Sequence, residues 1–229
     1  MTWQSNEFYF TRLSARELIE MLTFYLKESY AHFCYTDYTQ QSFQTELKYL
    51  LKEDEVFFES SIYYVVRHRV TNEIHGSIKT TYWDTKTILP IQVIFGIELD
   101  NIVLPDCGHF WHLGRFAISH KLASDRISIF KKMLFNAFYP VYSHGNGLII
   151  AECDKKVTNT LMKMGINSVT IGDAIEYIHS ETLPIYIQTE CLHNFITTTA
   201  RRYYSSHNAD DCDRFSEIIS LCNDCINAL

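Results

Sequence analysis

No run of apolar residues in this 229-residue chain approaches the ~18 that a membrane-spanning helix needs, and Met1-Thr2-Trp3-Gln4-Ser5 is not a cationic start followed by an apolar stretch. The sequence therefore predicts no integral membrane association, no secretory signal and a cytoplasmic location. A disulfide framework is lacking too, because seven cysteines, an odd number scattered from Cys34 to Cys225, fit reduced thiols. Cys222-Asn223-Asp224-Cys225 has metal-like spacing with His207 and Cys212 nearby, yet no second pair completes four ligands, so two cysteines on one helix are expected and no metal. Repeats and low-complexity tracts are absent. Positive charge is scarce: 20 Lys and Arg against 27 Asp and Glu give a formal −7, which argues against a general nucleic-acid binder whose affinity rests on neutralised phosphates.

What is present is core-forming material. A 47% hydrophobic share with 14% aromatics is that of an ordinary folded protein able to bury one substantial core. Ser14 to Tyr30 reads as an opening helix, with Ser14 and Glu17 as a capping box and Leu18, Met21, Leu22, Tyr25 and Leu26 at helical spacing. Phe43 to Leu51 reads as a second short helix. Val56 to Val70 and Ser77 to Trp83 form a hairpin around Thr71–Gly76, while Ile91 to Leu99 fits strand or helix. A strand is expected over Phe110 to Ser119, and a helix capped by Ser124 or Asp125 follows and ends at Gly145-Asn146-Gly147. Leu148 to Glu152 is a strand, Asp154 caps a helix that stops at Gly165, and Val169–Ile171 with Leu183–Gln188 make a last pair of strands. The order predicts an α/β (α+β) domain over residues 1–190, a mixed sheet with helices on its faces, and a C-terminal helical appendage over 191–229.

The stretch Trp111-His112-Leu113-Gly114-Arg115-Phe116-Ala117-Ile118-Ser119 puts a His and an Arg on an apolar strand. Strict alternation places His112, Gly114, Phe116 and Ile118 on one side and Trp111, Leu113, Arg115 and Ala117 on the other. Charge is also unevenly distributed: from Arg115 to Lys163 there are eight basic and three acidic residues in a chain that is acidic as a whole. Such a region suits an anionic ligand or an acidic partner, or is a solvated helix face.

The stretch resembles the Trp-Glu-Leu-Ser-Arg-Phe-Ala-Val signature of acyl-homoserine lactone synthases and related N-acyl amino acid synthases, divergent members of the GNAT acyltransferase superfamily. Gly76-Ser77-Ile78-Lys79 stands where those families carry Gly-x-x-Arg, and Leu89-Pro90 and Phe95 precede the signature in their order. Two positions depart: His112 replaces the Glu, and Lys52-Glu53-Asp54-Glu55 does not cleanly reproduce the acidic cluster before the second strand. The resemblance implies a GNAT-like mixed, mostly antiparallel twisted sheet with helices on both faces. It also implies an N-acyltransferase that moves an acyl chain from an acyl-phosphopantetheine thioester, acyl carrier protein or acyl-CoA, to an amino acid-like amine, with no tightly bound cofactor. The usual GNAT phosphate loop is absent from Ser119–Arg126, and Leu161 stands where the acid tyrosine is expected, which points away from simple acetyl-CoA chemistry. Acetyl-CoA-dependent acetylation and a non-catalytic acyl-carrier or lipid-binding module remain the alternatives.

On this reading His112 is the candidate base, since an imidazole accepts protons near neutrality, or else a structural histidine. Arg115 binds an acceptor carboxylate or ties strands together. Phe116, Ala117, Ile118, Phe130, Met133 and Phe138 are candidate walls for the acyl-pantetheine arm, or ordinary core. Lys121, Arg126, Lys131 and Lys132 are candidates for phosphate or carrier-protein binding, and Lys79, Glu181 and Thr182 for the acceptor.

Overall fold

The computed structural model describes residues 7–32, 39–99, 107–122, 126–178 and 180–205. Its strands are β1 (Phe8–Arg12), β2 (Ser61–His68), β3 (Ile74–Trp83), β4 (His109–Ile118), β5 (Gly147–Asp154), β6 (Val169–Thr170), β7 (Ile175–Tyr177) and β8 (Ser180–Gln188). Its helices are α1 (Leu18–His32), α2 (Gln40–Phe57), α3 (Pro90–Phe95), α4 (Arg126–His144), α5 (Lys155–Lys163) and α6 (His193–Ser205). The strands form one sheet in the order β1-β2-β3-β4-β5-β8-β6, with β7 also paired to β8. Every described pairing is antiparallel except β4 with β5. The expected mixed, mostly antiparallel sheet is therefore the observed one.

Strand alternation divides the apolar residues between two faces. Trp111, Leu113, Ile149 and Ile185 pack with Met133, Leu134 and Phe138 of α4 on one side. Tyr63 and Val65 meet Leu22 and Leu26 of α1 and Leu47 and Leu50 of α2 on the other. Leu22 and Leu26 are completely buried, and burial of such side chains contributes roughly 1.5–3 kcal/mol each.

Helix boundaries follow from their caps. Ser14 donates from its backbone N–H and its hydroxyl to Glu17 at 2.9 and 2.6 Å, opening α1 through a short 3-10 turn. Asp154 opens α5 by accepting from the N–H groups of Lys156 and Val157 at 2.7 and 3.3 Å, and Gly165 at φ +80° follows its end. Ser124 and Asp125, expected to cap α4, lie outside the described residues. Pro140 interrupts the hydrogen bonding of α4, and the Thr80 hydroxyl donates to the Ala137 carbonyl nearby at 3.3 Å.

Several elements depart from expectation. Helix α2 extends to Phe57, so the strand expected from Val56 begins at Ser61. The buried stripe Phe43, Leu47, Leu50, Asp54, Phe57 keeps helical spacing through the β-branched and aromatic residues. Ile91–Leu99 resolves into the short helix α3, closed by Gly96 at φ +64°. An edge strand, β1, precedes the first helix. Helix α6 packs Phe195 and Ile196 into the α4 side of the core, while 206–229, with Cys212, Cys222 and Cys225, lie outside the described residues.

Candidate functional site

The register of β4 carries one extra residue. Ser77 faces Ala117 and Lys79 faces Gly114, so two steps along β3 span three along β4. Arg115 absorbs the insertion with φ at +52°, a left-handed conformation that costs a non-glycine residue about 1–3 kcal/mol. The Ser77 hydroxyl donates to the Arg115 carbonyl at 2.8 Å and fixes the bulge. This corrects the alternation read from sequence: His112 and Arg115 share the face toward α1 and α2, while Phe116 and Ile118 join Trp111 and Leu113 on the α4 side. A bulge switches the face of every later side chain.

Around the Arg115 side chain the fold assembles a closed ionic cluster. Asp54, wholly buried on α2, accepts hydrogen bonds at 2.7 Å from Arg115 Nε, Lys79 Nζ and the Tyr63 hydroxyl. Arg115 also donates to Glu53, and its guanidinium lies 5.5 Å from the centre of the Tyr25 ring. Burial alone would raise the Asp54 carboxyl, but Arg115 and Lys79 hold it well below the usual carboxylate range. Two acids of Lys52-Glu53-Asp54-Glu55, Glu53 and Asp54, thus meet Arg115. Lys79, expected on the acceptor, is buried against Asp54.

A second pair lies on the same face. His112, 2% exposed, places Nε2 at 2.9 and 3.1 Å from the two carboxylate oxygens of Glu152 on β5. Its Nδ1 is buried and without a hydrogen-bond partner among the described residues. Burial would raise the Glu152 carboxyl, yet the charge and hydrogen bond of His112 bring it below its ordinary value.

Between these pairs and α4 the sheet opens. Strands β4 and β5 pair only from His109 with Gly147 to Leu113 with Ala151, and then diverge. A cavity of about 500 Å³ occupies the wedge. Its walls include Arg115 and Phe116 of β4, Glu152 of β5, Phe130 of α4, Leu161 of α5 and Tyr177 of β7. Burial raises the phenols of Tyr25 and Tyr177, so both are neutral hydroxyls in the physiological range. Burial also pushes the Cys153 thiol up to about 12, which leaves this cavity-lining sulfur a poor nucleophile near neutrality.

The sequence-derived site residues separate accordingly. Arg115, Phe116, Ala117, Ile118, Phe130, Arg126, Lys131 and Thr182 line the cavity. Met133 and Phe138 are fully buried in the α4-side core and do not line it, because their positions on the helix turn them into the sheet. Lys121 is exposed and Lys132 lies 5.8 Å from the Phe10 ring, both outside the lining. Glu181 is exposed and paired with Lys155 at 2.8 Å. His112 stands behind the lining, and Glu152, which the sequence reading did not single out, faces the cavity. The overlooked signal was a lone acid in Leu148-Ile149-Ile150-Ala151-Glu152-Cys153. Among the described residues no group of three or more His, Cys, Asp or Glu is placed to hold a metal, and no helix is long and apolar enough to cross a membrane.

No protein-family model and no curated protein matches the sequence. Solved structures do. TofI, solved in a ternary complex with an inhibitor and MTA, is 14% identical with a TM-score of 0.55, over 82% of this chain and 96% of that one. Apo FdhC, a nucleotide-linked sugar GNAT, is 10% identical with a TM-score of 0.52, over 88% and 97%. FeeM, an N-acyl amino acid synthase from uncultured soil microbes, is 17% identical with a TM-score of 0.51, over 79% and 88%. At such identities the likeness concerns the fold, and the fold of this chain is the GNAT fold.

Proposed function

We propose that the chain is a thioester-dependent N-acyltransferase that moves an acyl group from a phosphopantetheine carrier, acyl carrier protein or CoA, to the amine of a small molecule. The observation that carries this reading is the Glu152 carboxylate, backed by His112, facing a cavity in the wedge where β4 and β5 part. An amine that enters as its ammonium ion must lose a proton before it attacks the thioester carbonyl. Glu152 is placed to receive that proton, with His112 Nε2 as its hydrogen-bond partner. The amine nitrogen then bonds to the carbonyl carbon, the carbon–sulfur bond breaks, and the departing thiolate takes up the second proton that the nitrogen sheds in becoming an amide. Backbone N–H groups of β4 beyond Leu113 are freed from β5 and suit a developing oxyanion.

The remaining lining divides by chemistry. Phe116, Ile118 and Phe130 offer apolar walls to an acyl chain, and Arg126 and Lys131 offer positive charge to the phosphate end of the arm or to an acidic carrier protein. The raised Cys153 thiol favours direct transfer over an acyl-cysteine intermediate. FeeM, described as an N-acyl amino acid synthase, shares the fold and supports the reaction class. The test offers the purified chain octanoyl-CoA or octanoyl-loaded acyl carrier protein with a panel of primary amines, and follows thiol release together with amide products by mass spectrometry. Amine-dependent thiol release with an N-octanoyl product is expected. Hydrolysis alone, or no turnover with either donor, overturns the reading.

A further inference from the structure

The cations nearest the reacting end of the cavity are already matched, and this bears on what the amine substrate can be. Arg115 and Lys79 face Asp54 and Glu53, two positive against two negative groups. The Nε and one terminal nitrogen of the guanidinium, one of the two edges by which it could grip a substrate carboxylate in parallel hydrogen bonds, are engaged by two separate acids. His32, on the α1 wall, is held below its ordinary value by burial and by Lys156, so it supplies no fixed charge near neutrality. What faces the cavity from this side is acidic and aromatic: Glu152, Glu28 of α1, and the neutral phenols of Tyr25 and Tyr177. The Glu28 side chain is only 12% exposed, and both hydrogen bonds it accepts, from the His120 backbone and Nδ1 at 2.8 and 2.9 Å, fall on Oε2. Positive charge gathers on the other walls, with Arg126 and Lys131 on α4 and Lys156 and Lys163 on α5.

We infer that the acceptor is an amine carrying a second positive charge and no carboxylate, of the diamine class, with Glu152 facing the reacting nitrogen and Glu28 the remote ammonium. The inference rests on the acyltransferase reading and narrows its acceptor. A carboxylate beside the reacting amine would meet Glu152 while Arg115, the cation on that strand, is already engaged by Asp54 and Glu53, and like charges in a partly desolvated site disfavour binding strongly. A remote ammonium meets the Glu28 carboxylate, and the neutral phenols of Tyr25 and Tyr177 add no charge to oppose it. The amine nitrogen gives up one proton to Glu152, forms the new bond to the acyl carbon as the carbon–sulfur bond breaks, and passes its second proton to the leaving thiolate, while the remote nitrogen keeps its charge throughout. Two carboxylates thus have two tasks.

The experiment uses three acceptors that differ by one group each: 1,5-diaminopentane, lysine (the same skeleton with a carboxylate) and 1-aminopentane (the same chain without the second amine). With the full chain and the octanoyl donors, kcat/KM for diaminopentane should exceed that for each of the others by about 10-fold or more. Glu28→Gln should raise the KM for diaminopentane and shrink its advantage over 1-aminopentane. The ranking on the unmodified protein needs no variant, so it stands even where a substitution impairs folding. Lysine equal to or better than diaminopentane overturns the inference and leaves the transferase reading intact; no amide product from any of the three overturns both.

Discussion

Asp54 and Glu152 are both carboxylates removed from water on one face of the sheet, and they differ in how completely the fold satisfies them. Asp54 has three donors at 2.7 Å and two cations, and it does not line the cavity. Glu152 has one side-chain partner among the described residues, His112, and a cavity on its other side. A buried charge held by three donors and closed off from the cavity can only hold its neighbours in place, and here it anchors the side chain of Arg115. A buried charge with a single partner and a cavity beside it can receive a substrate. On the proposed function, the same chemical group is architecture in one place and reagent in the other.

The largest expected effect tests the second half of that contrast. Glu152→Gln keeps the shape and removes the proton acceptor, so kcat should fall by about 10²–10⁴-fold, measured by thiol release, with the thermal midpoint little changed. Asp54→Asn should do the opposite. It leaves Arg115 and Lys79 buried with one anion fewer, which costs about 3–5 kcal/mol of stability in urea titrations. Because the Asp54 carboxyl is held below its unfolded value, its contribution is fully present above about pH 3.9 and is lost only as pH falls through the depressed folded value. The stability gap between wild type and Asp54→Asn should therefore be flat through neutrality and close only in strong acid. A gap that closed near neutral pH would show that Asp54 is not the saturated anion.

The contrast was half legible in the sequence. Periodicity and caps located the main helices and the antiparallel order, because those are local properties. The strand carrying His112 and Arg115 stood out for its ionisable residues among apolar ones. The face on which they lie did not, since a bulge is decided by pairing with β3 and inverts every inference from alternation. The partners were missed for the same reason. Asp54 sits on the apolar stripe of α2 and Glu152 inside the apolar run of β5, each an acid at a core position. Both were visible as anomalies, but only the fold brings residue 54 to 115 or residue 152 to 112.

A smaller effect sharpens the role of His112. If it acts through Glu152, His112→Ala should lower kcat by about 10–10²-fold, less than Glu152→Gln, because the proton acceptor remains. The pH profile separates this from a structural role. His112 is what offsets the burial of Glu152, so its removal should raise the Glu152 carboxyl and move the acid limb of the kcat profile to higher pH. An acid limb that stays in place in a folded variant would leave His112 as packing.

The smallest effect repeats the contrast on the surface, between adjacent lysines. Lys131 lines the cavity, while Lys132, one position on around the helix, lies over the Phe10 ring of β1. About 100° of rotation separates neighbouring side chains on a helix, enough to put one on the cavity wall and the other against a strand. If the wall of α4 receives the anionic end of the donor, Lys131→Glu should raise the KM for acyl carrier protein or acyl-CoA about 3–10-fold, with the difference shrinking as salt screens it. Lys132→Glu should change that KM less than twofold. Equal effects from the two substitutions would mean that the donor responds to the overall charge of the region, and the cavity wall would lose its claim to the anionic arm.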